Sequence, residues 1–164
     1  VGGLGNDTLI GSDGVVFTDV DRLDGGDGDD KIYADAADLT GGSVKVLGGG
    51  GSADVLDFLF SGGVSFLNDF GVSAATGGFE QIFGSSGNNT ITTAGPGTLP
   101  NLYYVGRAGN DTLSSGNGND TLDGGDGNDT LTGDGGADFF IGGAGTDIAT
   151  DFNGGEGDSL SGVP

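Results

Sequence analysis

Between Gly106 and Thr150 one apolar side chain returns every nine residues, as Leu113, Leu122, Leu131, Phe140 and Ala149. The segment reads GRAGNDTLS, SGNGNDTLD, GGDGNDTLT, GDGGADFFI and GGAGTDIAT, five units in tandem without a gap. Self-similarity at a fixed period signals a repeat architecture, so the period governs the reading of every local signal. The three residues around each apolar position, such as Thr121-Leu122-Asp123, predict a short strand with its middle side chain facing in and its neighbours facing out. The glycines before them predict a turn, because Gly reaches positive φ without steric cost. One unit is therefore half a coil. Two units make a coil of 18 residues, and turns 18 apart lie over one another.

Single copies precede the array: GGLGNDTLI (Gly2 to Ile10), GGDGDDKIY (Gly25 to Tyr33), GGGSADVLD (Gly49 to Asp57) and GSSGNNTIT (Gly84 to Thr92). Asp7, Asp30 and Asp54 are 23 and 24 residues apart, and β-favouring runs lie between the copies at Val15 to Phe17 and Ser43 to Leu47. These spacings fit coils whose second turn has grown into a longer loop; in the alternative, the loops break the stack and leave isolated Gly-Asp turns. Residues 58–105 hold Phe58, Phe60, Phe66, Phe70, Phe79, Phe83, Tyr103 and Tyr104. Short apolar stretches at Val64 to Leu67, Gln81 to Phe83 and Leu102 to Val105 read as strands between Gly/Ser/Thr loops. The aromatics either fill a wider coil or line a ligand groove. The domain plan is one continuous solenoid: N-terminal coils over 1–57, an aromatic segment over 58–105, the regular array over 106–150 and a cap over 151–164.

Composition changes the picture in two ways. Gly and Pro together make up 43 of 164 residues, which borders on disorder unless a period rescues it. Against 4 Lys+Arg stand 25 Asp+Glu, for a net charge of -21, and Cys, His, Met and Trp are absent. Disulfides, N/S-ligated zinc and Ser-His-Asp chemistry are thereby excluded. Such a charge also makes nucleic acid and anionic membranes poor partners, and no run is long enough to insert in a bilayer. Cations are what this chain should attract. Asp111, Asp129 and Asp147 stack on one flank, Asp120 and Asp138 on the other. Carboxylates stacked at the strand spacing of roughly 4.8 Å repel one another unless a cation lies between them. Mixed carboxylate and carbonyl oxygens favour Ca²⁺ over softer metals.

The unit glycine, glycine, any, glycine, any, aspartate, any, apolar, any closely resembles the RTX, or hemolysin-type, calcium-binding nonapeptide repeat of secreted bacterial proteins. The resemblance implies an all-β fold, a right-handed parallel β-roll with Ca²⁺ between stacked Gly-rich turns. It also implies a ligand pattern: carbonyls of the second and fourth positions plus Asp from the lower turn, and carbonyls of the first and third plus Asp from the upper. Carried onto this chain, Arg107, Gly109 and Asp111 would act with Gly124, Asp126 and Asp129. A second set is Gly116, Gly118 and Asp120 with Gly133, Gly135 and Asp138, and a third is Gly125, Gly127 and Asp129 with Gly142, Ala144 and Asp147. Two N-terminal sets follow: Gly3, Gly5 and Asp7 with Gly25, Asp27 and Asp30, then Gly26, Gly28 and Asp30 with Gly49, Gly51 and Asp54. About five ions or more are expected. Asn89 stands where Asp belongs, so the turn pair from Gly84 and Gly106 reads as a weak or empty site. The stretch Asp151 to Leu160 resembles the capping segment of such rolls, with Phe152 and Leu160 as its cover.

The function that follows is a calcium-induced folding and stabilising module of a larger protein, secreted or displayed at the cell surface through type I export. The start at Val1 fits a piece of such a parent. The alternative is a structural repeat of a surface-layer protein or adhesin, with self-assembly at the surface. An enzyme within these residues is disfavoured, because the Asp residues are already accounted for as ligands and no His or Cys supplies a base near neutral pH.

Overall fold

The computed structural model describes residues 1–10, 23–34, 46–50, 53–58, 65–69, 78–94 and 99–163. Sixteen short strands and no helix occur among them. They are β1 (Gly3–Leu4), β2 (Thr8–Ile10), β3 (Leu23–Asp27), β4 (Lys31–Ala34), β5 (Val46–Gly49), β6 (Val55–Phe58), β7 (Ser65–Asp69) and β8 (Gln81–Phe83). The second half contributes β9 (Thr90–Ala94), β10 (Tyr103–Ala108), β11 (Thr112–Ser114), β12 (Thr121–Asp126), β13 (Thr130–Thr132), β14 (Phe139–Ala144), β15 (Ile148–Ala149) and β16 (Ser159–Ser161).

All pairings are parallel, and even- and odd-numbered strands separate onto different sheets. An eight-stranded sheet runs β16-β14-β12-β10-β8-β6-β4-β2, and a five-stranded sheet runs β15-β13-β11-β9-β7. A third sheet, β1-β3-β5, pairs the turn glycines themselves, Gly3 to Gly26 and Gly26 to Gly49. Alternation of successive strands between two facing parallel sheets is the topology of a β-roll. The 18-residue period appears directly in the register, with Thr112 beside Thr130 beside Ile148 and Tyr103 beside Thr121 beside Phe139.

The irregular N-terminal coils stay in the stack. Thr8 pairs with Lys31, Lys31 with Val55 and Val55 with Gln81, so the longer spacing is absorbed outside the strands. They continue the flank of Asp120 and Asp138, since β2, β4 and β6 share the sheet of β12 and β14. The Val15 to Phe17 run, Phe60, Phe70 and Val64 lie outside the described residues.

The core is one residue wide on each sheet. Ile32, Leu56, Ile82, Tyr104, Leu122 and Phe140 form the inner column of the large sheet, and Ile91, Leu113 and Leu131 that of the small one, all fully buried. Phe58, Phe79 and Tyr104 widen the core in the aromatic segment, where the Tyr104 hydroxyl meets Thr93 Oγ1 at 2.5 Å. Phe83 and Tyr103 do not fill the coil. They stand on the outer face of the large sheet with ring centroids 5.9 Å apart, because they flank inward Ile82 and Tyr104 in alternating strands. Phe152 and Leu160 also depart from expectation: they are 45% and 41% exposed and cover little. Leu160 instead continues the inner column beside Phe140, on a strand that leaves the described end of the stack open.

Each inner residue touches the rung above and below, so truncation opens a void that neither neighbour can fill. Leu122→Ala should cost about 2–5 kcal/mol in urea unfolding at saturating calcium, whereas Leu160→Ala should cost far less. Equal losses would contradict the packing.

Candidate metal centre

The sixth-position aspartates are the buried polar spine of the roll. Asp30, Asp111, Asp120 and Asp129 are 1% exposed, and Asp138 and Asp147 are 2% exposed. Each carboxylate divides its labour. One oxygen accepts a backbone N–H from the aspartate of the preceding coil: Asp111 N–H donates to Asp129 Oδ1 at 2.7 Å, and Asp129 N–H to Asp147 Oδ1 at 2.9 Å. Asp120 N–H donates to Asp138 Oδ1 at 2.9 Å on the other flank. The same bond joins Asp7 to Asp30 and Asp30 to Asp54, each at 2.8 Å.

The second oxygen has no such partner. Oδ2 of Asp7, Asp30, Asp111, Asp120, Asp129 and Asp147 is buried without a hydrogen bond. A buried unpaired carboxylate oxygen is costly, and six in register require a common explanation. Their surroundings supply one. At Gly106 the position a Cβ would take lies against Asp111 Oδ2 and 2.5 Å from the carbonyl oxygen of Gly124 in the next coil. Gly25 stands in the same way against Asp30 Oδ2 and Gly48 O, and Gly124 against Asp129 Oδ2. A side chain at Gly25, Gly106 or Gly124 would fill this oxygen-lined space, whereas the Asp120 turn carries buried Ser115 at the corresponding place. Among the described residues no three carboxylates converge on one point, and the oxygens on offer in each gap are carboxylate oxygens together with backbone carbonyls. That set fits a hard cation with oxygen ligands of about 2.3–2.6 Å.

The turns bring the expected residues together by register. Arg107 lies beside Gly125 and Ala108 beside Asp126, Gly125 beside Gly143 and Asp126 beside Ala144. Gly109 N–H donates to Asp126 O, Gly118 N–H to Gly135 O, Gly127 N–H to Ala144 O and Gly5 N–H to Asp27 O, at 2.7–2.8 Å. A carbonyl has two lone pairs, so these bonds leave one for a cation. The space above Gly125, whose φ is 97°, is closed by Arg107 O, which makes glycine obligatory there. Gly26 stands likewise over Gly3, Gly28 over Gly5, and Gly133 and Gly142 stand against their own Asp138 and Asp147. Gly116, at φ 85°, packs instead toward Leu99.

One register was misjudged. Gly49 pairs with Gly26, a second-position residue, and the first-position place belongs to Gly48, which stands against Asp54 Oδ2. That turn holds one extra glycine, so counting back from Asp54 slips by one and assigns Gly49 and Gly51 where the stack has Gly48 and Gly50. Gly51 itself lies outside the described residues.

Several participants carry no motif. Glu80 takes the aspartate's place in the next coil, its Oε2 accepting Asp54 N–H at 2.8 Å, and burial holds its carboxyl above the usual range. Leu102 occupies the following place and breaks the column, although its N–H still donates to Asp120 Oδ1 at 2.7 Å. Asp158 extends the column past Asp138, whose N–H it accepts at 2.9 Å. Its Oδ2 is already taken by Asn153 N–H. Fifth-position asparagines build a second, opposite ladder: Asn110 Oδ1 accepts Asn128 N–H, and Asn128 Oδ1 accepts Thr146 N–H. The recurrence of Asn at that position was the readable signal.

Burial raises the carboxyls of Asp111 and Asp120 from the ordinary 3.8 to about 6, and moves Asp129 and Asp138 upward too, with the next carboxylate in the column adding to the shift. The metal-free fold thus binds more protons than the unfolded chain between those values. Its stability is greatest at or below the unfolded pKa and falls as pH rises through about 6. In chelator, acidifying from pH 7 to below about 5 should therefore raise the β signal in circular dichroism; a fall on acidification would oppose this sign. Asp129 has stacked carboxylates on both sides, whereas Asp147 has one. Asp129→Ala should lower calcium stoichiometry in calorimetric titration by more than Asp147→Ala, and equal losses would refute the stacking as the basis of binding.

No curated protein and no solved structure matches the chain. The family model of the RTX calcium-binding nonapeptide repeat (4 copies) matches residues 1–15, 17–38, 75–95, 103–131 and 114–149, well over half of the sequence. The stacked glycine turns and aspartate columns are what those repeats encode, and the chain belongs to the RTX calcium-binding nonapeptide repeat family.

Proposed function

We propose that this chain is a calcium-operated folding module of a protein that works outside the cell, and that its folding and ion binding are one event. The observation that carries the reading is the set of six buried Oδ2 atoms without hydrogen bonds, five of them set against the first glycine of their own turn. Five carboxylate pairs would hold ions: Asp7 with Asp30, Asp30 with Asp54, Asp111 with Asp129, Asp120 with Asp138 and Asp129 with Asp147. Carbonyls of the second and fourth positions below and the first and third above complete each shell, with Gly48 and Gly50 in place of Gly49 and Gly51 at the Asp54 turn. Bound Ca²⁺ supplies positive charge and accepts mixed oxygen ligands in flexible geometry.

Without the ion the aspartates oppose the fold they line. The chain carries -21 charges and about a quarter Gly and Pro, so repulsion and backbone entropy favour the disordered state. The sites exist only in the roll, so their binding free energy is folding free energy. A rise in free calcium of about 10⁴-fold on export is worth at most roughly 5.5 kcal/mol per site. Two such sites match the usual domain stability of about 5–15 kcal/mol, and three exceed it. Passage through a type I exporter as an unfolded chain, followed by folding outside, is consistent with this arithmetic and with the family. Catalysis, where a parent protein has it, is assigned to other parts of that protein.

The isolated chain should show a disordered circular dichroism spectrum in chelator and a β spectrum in millimolar Ca²⁺. Mg²⁺ should substitute poorly, because it demands tight octahedral geometry and gives up its water reluctantly. A spectrum already rich in β structure in chelator at neutral pH would overturn the coupling.

A further inference from the structure

One rung of the spine is built differently. The turn at Gly84 to Asn89 lies directly below the turn at Gly106 to Asp111, with Asn89 N–H donating to Asp111 Oδ1 at 2.6 Å. The backbone link is therefore the same as in the aspartate rungs. The side chain is not. Asn89 Oδ1 turns back to its own turn and accepts from Ser85 N–H at 3.2 Å and Ser85 Oγ at 2.8 Å. Its Nδ2 lies among four oxygens: Gly87 O at 2.7 Å, Asp111 Oδ1 at 3.0 Å, and Ser85 O and Gly106 O at 3.1 Å. Reversing the amide would set oxygen against four oxygens, so these partners fix its orientation.

In the repeat's own numbering those acceptors are the second and fourth carbonyls of the lower turn, and the first carbonyl and aspartate of the upper. These four belong to the donor set that surrounds a cation in the proposed calcium rungs. A neutral amide group occupies the middle of that set and presents N–H where the other rungs require positive charge.

Arg107 adds a fixed cation one rung lower. Its guanidinium reaches down two coils, with Nη1 donating to Gly84 O at 2.7 Å and Phe58 O at 3.0 Å, and Nη2 paired with Asp57 Oδ1 at 2.7 Å. It lies 5.6 Å from the Phe83 ring centroid, a cation–π distance. Gly84 O is the first-position carbonyl of the Asn89 turn. Arg107 also stands at a second position with φ 81°, where neighbouring coils place Gly125 and Gly143 at 97° and 98°. A branched, long side chain tolerated in the left-handed region is a strained position, held by what surrounds it.

We propose that the Asn89 amide takes the place of the calcium ion at this rung, so that the flank of Asp111, Asp129 and Asp147 rests on a permanently closed joint, with the Arg107 guanidinium pinning the coils beneath it. The inference rests on the calcium reading above, but concerns which rung takes no ion. The amide supplies the donors that knit the two turns, and the guanidinium supplies a fixed cation anchored to Asp57 and two carbonyls. Asn89→Asp exchanges the donor for a second carboxylate oxygen facing Asp111, and turns the joint into an ordinary rung.

The test counts and places ions on the full chain. Native mass spectrometry at saturating Ca²⁺ should give Asn89→Asp one more ion than the wild type, and an equal count in a variant that folds in calcium would overturn the proposal. Anomalous diffraction from calcium-loaded wild-type crystals covers the case in which that variant does not fold. Ions between Asp111 and Asp129 with none between Asn89 and Asp111 would support the joint. An ion at both places would sink the joint and leave the calcium reading standing, whereas no ion at any aspartate pair would sink the calcium reading itself.

Discussion

Every feature of this roll answers to the stacking of carboxylates at strand spacing. The aspartate of each coil must reach the backbone N–H of the coil before it, as Asp129 reaches Asp111 at 2.7 Å. That contact draws the turns into register and simultaneously points the other oxygen into the gap between them. The bond that aligns the coils is therefore also the arrangement that burdens them with unpaired negative charge. Hydrogen bonding lowers the carboxyl pKa and burial raises it, and at Asp111 and Asp120 burial wins. Calcium, which the repeats of this family bind, is the species proposed to resolve this conflict without dismantling the stack.

The glycine content follows from the same geometry. A Cβ at Gly106 or Gly124 would occupy the oxygen-lined space, and one at Gly125 would meet Arg107 O. Neither substitution can be accommodated by moving a flexible neighbour, because the obstructing atoms are backbone or the aspartate itself. A chain with so much glycine has a large conformational entropy to lose and little side-chain surface to bury. Its core is one inner residue per strand. On the proposed reading, ion binding and apolar burial carry complementary shares of the stability.

The regular part of this design was legible in the sequence because a nine-residue period repeats the physical solution nine residues later. The flanks of Asp111, Asp120, Asp129, Asp138 and Asp147 follow from spacing, and the parallel β-roll from the resemblance of the repeat to the RTX nonapeptide. What escaped were positions where a different side chain does the same job. Glu80 reaches Asp54 N–H with one more methylene, and Leu102 keeps the backbone link while surrendering the carboxylate. The extra glycine before Asp54 shifted the turn by one residue, because a run of four glycines offers no mark for its register. Phe83 and Tyr103 were misplaced for a related reason: aromatic content signals burial, but only strand parity tells inside from outside.

Asn89 lay between these cases. Its departure from Asp was visible at once, and loss of a charged ligand implied a poor cation site. The sequence could not show that the amide turns its nitrogen toward the oxygens, nor that Arg107, eighteen positions on, folds back over Phe83 to Asp57. Viewed as electrostatics, the two residues complete a single rule. On the proposed reading, an electropositive group stands among the oxygens where two glycine-aspartate turns stack, and a side-chain donor does this at the Asn89 rung without any change in backbone register. The price is adjustability: an ion can leave when calcium falls, whereas an amide and a guanidinium remain. A roll built wholly from such rungs would be folded in every compartment, and one with none would have no fixed reference among its coils. On the proposed reading, the carboxylate rungs keep the calcium dependence of the roll, and the amide rung holds its register without an ion.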